Sequence, residues 1–146
     1  MEKEFVPYEL ALRLKELGFD EPCFGYYIET SEWIPASYSR EGIVYPSNSD
    51  LLPEWVAAPT FSQCFRWFRE KYGLYSWVEL HNGYIDDSYY KKLPITWTIM
   101  ESESGKQYYE RDIDHNYLYY TYEEAELACL DKLIEIVESK QKEDGK

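Results

Sequence analysis

At 146 residues, with 45% hydrophobic and 29% charged side chains, the chain has the size and composition of one folded domain rather than of a disordered segment. A formal charge of −13 argues against direct contact with nucleic acid or an anionic membrane, because each such contact begins with like-charge repulsion, and it favours a basic partner or merely solubility. The other departure from the average is an aromatic content of 18%, with 16 Tyr and 5 Trp.

Cys23, Cys64 and Cys129 form no CxxC pair and leave one thiol over in any disulfide scheme, which fits a reducing compartment. The first residues, MEKEFVPYEL, lack a secretory apolar stretch, and no run approaches the length of a membrane span. A cytoplasmic protein is expected.

In chain order, Pro7 suits a first helical position and Gly18 a stop, so a helix is predicted over about 7–17. Its apolar stripe is Leu10, Ala11, Leu14 and Leu17. Residues 23–29 (CFGYYIE) read as a strand. From 30 to 59, four prolines and many serines predict a long loop, with a short strand at 43–45. Thr60 and Gln63 have the capping-box spacing for a helix over 60–72 that ends at Gly73. Phe61, Cys64, Phe65, Phe68 and Tyr72 would form its buried stripe, leaving Trp67 pointing away among polar neighbours.

Residues 75–80 (YSWVEL) should be a strand running into an Asn82-Gly83 hairpin turn. Residues 93–100 alternate, with Ile95, Trp97 and Ile99 on one face, and Ser104-Gly105 turns the chain into a strand at 107–111. Thr121 and Glu124 open a third helix over 122–138, buried through Tyr122, Ala125, Cys129, Leu133, Ile136 and Val137. Residues 141–146 read as a disordered tail. The expected fold is a single α+β domain over 1–140, an antiparallel sheet of four to five strands packed by three amphipathic helices.

Three stretches, FVPYELALRLKELGFDEPCFGYY at 5–27, FRWFREKYGLYSW at 65–77 and YEEAELACLDKLIEIVE at 122–138, resemble an uncharacterised family of small proteins from Bacteroides-type gut bacteria and their phages. The stretch 30–58 and the hairpins match nothing in that family. The resemblance implies a bacterial cytoplasm and a phage or mobile-element setting. It carries over no functional residue, because the family has no assigned activity.

Chemistry is sparse. The cysteines lie on apolar helical faces or beside a strand, without a partner base. Asp112, Asp114 and His115 in RDIDHN alternate in the manner of metal ligands, but no second His stands nearby and the calcium-loop pattern is missing, so a solvated turn is the better reading. Glu126 falls within the apolar arc of the third helix, where a carboxylate either snorkels at the rim or pairs with Arg66, Arg69 or Lys71; buried and unpaired it would titrate upward like a general acid. No catalytic, cofactor or metal residue is assigned, and no cofactor is expected.

Tyr84, Tyr89, Tyr90, Tyr108, Tyr109, Tyr117, Tyr119 and Tyr120 gather in the strand half, where alternation exposes some of them. The expected interaction surface is Trp55, Trp67, Tyr84, Tyr108 and Tyr109. A non-enzymatic protein-interaction module is thus the leading reading. The alternatives are an acidic nucleic-acid mimic or inhibitor from a mobile element, and a small hydrolase using RDIDHN or Glu126, a reading decided by whether His81, His115, Asp112 and Glu126 converge in a pocket.

Overall fold

A computed structural model describes residues 2–29, 32–80, 95–109, 119 and 121–145. The chain is α+β, with three α-helices and antiparallel strands. It divides into two compact units, Met1–Cys64 with Ile136–Lys146, and Phe65–Glu135. The single sheet of four to five strands is corrected: the described strands form two three-stranded sheets and one two-stranded ribbon.

In the first unit, α1 (Tyr8–Glu16) starts one residue later than predicted, with Pro7 at its N-cap and the Pro7 carbonyl accepting from the Ala11 N–H at 2.9 Å. Gly18 stops it by taking φ 93°, a left-handed conformation that costs glycine little. Val6, Ala11, Leu14 and Leu17 turn into the core with Phe19, Val56, Phe61 and Cys64. Arg13 grips Glu138 with a two-pronged fork, its Nε and Nη2 donating to the carboxylate at 2.8 and 3.0 Å.

The long loop expected over 30–59 is instead built from short elements. After β1 (Gly25–Ile28) come β2 (Glu32–Pro35), β3 (Ser37–Ser39), β4 (Gly42–Val44), a 3-10 turn at Asn48–Asp50 and β5 (Val56–Ala57). The sheet order is β2-β1-β5, while β3 and β4 form a ribbon exposed along both strands.

Side chains do the ordering that a regular ladder would do elsewhere. Asn48 donates to the Phe19 carbonyl at 2.7 Å and accepts from the Ala57 N–H at 2.9 Å. Lys15 Nζ donates to the carbonyls of Pro53 and Trp55 at 2.6 and 2.7 Å. Asp20 accepts the Ser49 N–H at 2.6 Å, and that bond, with one from the Ser49 hydroxyl, holds its carboxyl below the ordinary value.

Gly25 marks the closest approach in this unit. A Cβ there would stand 2.6 Å from the Ile34 carbonyl oxygen and 2.6 Å from the Trp33 ring. Gly25→Ala is therefore expected to destabilise the chain by about 1–3 kcal/mol, the usual range for forced overpacking. Urea denaturation measures it, and an unchanged midpoint would show that the strand can shift at no cost.

The second unit receives most of α2 (Phe61–Tyr72), then β6 (Leu74–Leu80), β7 (Ile95–Glu101), β8 (Gln107–Tyr109) and the first part of α3 (Tyr122–Asp144). Both predicted capping boxes form: Thr60 Oγ1 accepts the Gln63 N–H at 3.2 Å, and Thr121 Oγ1 accepts the Glu124 N–H at 3.1 Å. Gly73 ends α2 with φ 65°. The core joins Trp67 and Phe68 to Leu74, Trp97 and Ile99 of the sheet and to Ala125, Cys129, Leu130, Leu133 and Ile134 of α3.

Three expectations fail here. Trp67 does not point away: it is buried, edge-on to Phe68 and Tyr72, with the Lys71 ammonium 4.9 Å from its ring centroid. Counted at about 100° per residue, Trp67 lies roughly 60° from Cys64 and Phe65 about 100° to the other side, so the buried arc includes the tryptophan. Tyr122, expected in the core, is 52% exposed on the first turn of α3. The helix also continues to Asp144 through residues expected to form a tail, since Glu, Lys and Gln favour helix and no glycine intervenes before Gly145.

Candidate interaction face

The face of the second sheet follows from its register. Trp77 stands opposite Thr98, and Thr98 opposite Tyr109; Tyr75 stands opposite Met100, and Met100 opposite Gln107. Directly opposed residues share a face and successive residues alternate, so Tyr75, Trp77, Glu79, Thr98, Met100 and Tyr109 belong to one face. The other face carries Leu74, Ser76, Val78, Trp97, Ile99 and Tyr108, and there Ser76 lies close enough to the Cys129 thiol of α3 to lower its pKa against burial.

With the core on one side, the opposite face remains half open. Tyr75 is 48%, Tyr109 41% and Trp77 40% exposed. The Thr98 hydroxyl reaches the Glu79 carboxylate at 3.5 Å across this face. Stiff aromatic rings with polar neighbours supply contact area at low entropic cost, which is the chemistry of an interaction surface.

The residues expected to form such a surface are scattered. Tyr109 is on the open face, but Tyr108 points to the other side, with Lys106 Nζ 4.7 Å from its ring. Trp55 belongs to the first unit, where it is half-buried and stacked on Tyr26 at 5.3 Å. Trp67 is withdrawn from the surface, being only 7% exposed. Tyr84 lies outside the described residues. Tyr75 and Trp77 were not singled out, although the alternation of YSWVEL already sets both beside Glu79 on one face.

The acid–base candidates do not assemble into a described site. His81, Asp112, Asp114 and His115 lie outside the described residues. Glu126 is half-buried; burial pushes up the Tyr122 hydroxyl and the Cys129 thiol, and the Glu126 charge adds to both shifts. Among the described residues no group of three or more His, Cys, Asp or Glu could hold a metal ion. No helix is long and apolar enough, among those residues, to cross a membrane.

A cleft of about 350 Å³ in the second unit is lined by Trp97, Tyr109, Tyr119 and, on α3, Ala128, Asp131, Lys132 and Glu135. Lys132 and Glu135, one turn apart on the α3 wall, pair with each other at 2.8 Å. Among the described lining residues there is no cysteine, serine or histidine. Compared with known protein families, curated proteins and solved structures, the chain matches none.

Proposed function

We propose that the chain is a non-enzymatic protein-interaction module that offers the open face of β6, β7 and β8 to a basic protein partner. The observation that carries this reading is the row of half-exposed rings, Tyr75, Trp77 and Tyr109, on a single sheet face. The preference for a basic partner comes from the charge of −13. A reducing cytoplasm suits it, in keeping with three buried free thiols.

The nucleic-acid mimic draws little support from α3, whose carboxylates do not stand as a bare row. Lys132 is paired with Glu135, and Arg13 with Glu138. A mimic of phosphate spacing gains from segregated charge.

Affinity capture from extracts of the source cell, with wild type and Trp77→Ser compared side by side, tests the module. A basic protein retained by the wild type should be released by the variant, with affinity lowered by about 2 kcal/mol, or roughly 30-fold, as for a central aromatic contact. Equal retention by a variant with an unchanged circular dichroism spectrum and melting temperature would end this reading.

A further inference from the structure

The outer edge of β6 can be read from hydrogen bonds elsewhere in the sheet. Glu101 donates to the Lys106 carbonyl at 2.9 Å, and Ile95 exchanges bonds with Tyr119 at 2.9 and 3.0 Å, so the odd-numbered residues of β7 turn their backbone groups toward the β8 side. The even-numbered ones turn toward β6, as does Ser102, whose N–H reaches the Gly73 carbonyl at 2.9 Å. Tyr75, Trp77 and Glu79, paired with Met100, Thr98 and Thr96, thus spend their N–H and C=O groups on β7. Ser76, Val78 and Leu80 point theirs the opposite way.

Among the described residues no strand pairs with that edge. Natural edges are blunted by shortness, proline, lysine or a bulge. β5 has two residues and β2 ends in Pro35, whereas β6 runs for seven, LYSWVEL, with neither proline nor lysine. Its strands carry two charged residues, Glu79 on the aromatic face and Glu101 on the other, and neither is basic.

Resting on the interaction reading above, we infer that the partner contributes an extended segment of alternating basic and apolar residues, which adds to β6 as an antiparallel fourth strand. Its basic side chains lie beside Tyr75, Trp77 and Glu79, gaining cation–π and ionic contacts, and its apolar ones beside Val78 and Leu80, the latter 58% exposed. A second copy of this chain is disfavoured on that edge, because each copy brings a charge of −13.

The pairing predicts which backbone groups matter. Residues opposite Ser76, Val78 and Leu80 share their face and exchange hydrogen bonds with them, so the apolar positions of the added strand must donate. The probe is a capped heptapeptide alternating lysine and valine, titrated into the full chain and followed by NMR. The amides of Val78 and Leu80 are expected to exchange more slowly with solvent when it binds. Methylating the valine nitrogens should weaken binding at least ~10-fold, since the ladder is lost. Methylating the lysine nitrogens should leave it intact, and the glutamate-for-lysine peptide should not bind.

If both methylated peptides bind like the parent, strand addition is wrong; should Trp77→Ser still weaken the parent, the aromatic face keeps its role without it. Parent binding that ignores Trp77→Ser overturns the face reading as well. Failure of the parent peptide to bind, or a dimer in light scattering that survives high salt, overturns the basic strand as occupant.

Discussion

Iodoacetamide added to the native chain at pH 8 is expected to leave Cys23, Cys64 and Cys129 unmodified over a time in which the denatured chain is fully alkylated. Only the thiolate reacts. Burial, with Glu21 adding to it, pushes the Cys23 thiol up to about 12, and burial takes Cys64 well above its ordinary value. Cys129 also rises to about 12; burial is the main cause, opposed by the nearby Ser76 and assisted by the Glu126 charge.

A rise from 9 to 12 lowers the thiolate fraction at pH 8 by about a thousand-fold, before access is considered. Modification should therefore proceed through opening of the structure, and its rate should rise with urea. Rapid labelling of any of the three in the native state would contradict this packing.

The same shifts set an alkaline limit on stability. Above pH 9 the unfolded thiols lose their protons while the folded ones keep them, so the unfolded state binds fewer protons and stability falls as pH rises. Below pH 9 both states are protonated, and the thiols contribute no slope. Between pH 9 and about 12, Cys129→Ala should remove up to ~1.4 kcal/mol per pH unit of that decline, read from urea midpoints across the range.

Phe68→Ala is expected to cost about 4 kcal/mol, in the range for deleting a buried aromatic ring. Phe68 is fully buried, with Trp67 edge-on at 5.0 Å and Tyr72 at 5.9 Å. Both rings would face the void, and neither can swing into it without leaving its own contacts. Melting should begin roughly 12 °C lower, by the scaling for a chain of this size. Phe68→Leu, which keeps much of the volume, should cost less than half as much. A Phe68→Ala melt within a few degrees of wild type would mean that the cavity collapses.

What could be read in advance was whatever depends on near neighbours. Thr60 with Gln63 and Thr121 with Glu124 are three residues apart, and Gly18 and Gly73 need only their own backbone to end a helix. The ordering of 30–59 depends instead on partners far along the chain. Lys15 reaches a carbonyl 38 residues away, and Asn48 ties Phe19 to Ala57, so a stretch rich in proline and serine reads as loop although side chains hold it.

The interaction face was half legible for the same reason. Alternation alone separates Tyr108 from Tyr109, and it groups Tyr75 with Trp77. Which face stays open depends on where α3 lies, and that is decided by contacts such as Ser76 with Cys129. Trp67 was misplaced by its polar neighbours: Arg66 and Arg69 are exposed, but the ring between them reaches Phe68 and Tyr72.

The fork between Arg13 and Glu138 joins residues 125 positions apart. During synthesis, α1 leaves the ribosome long before the carboxylate that its arginine will hold, and before Ile136 and Val137, which complete the same unit. The first unit to be made is thus the last to be finished, and its apolar face is exposed to chaperones and proteases until the distal half of α3 arrives.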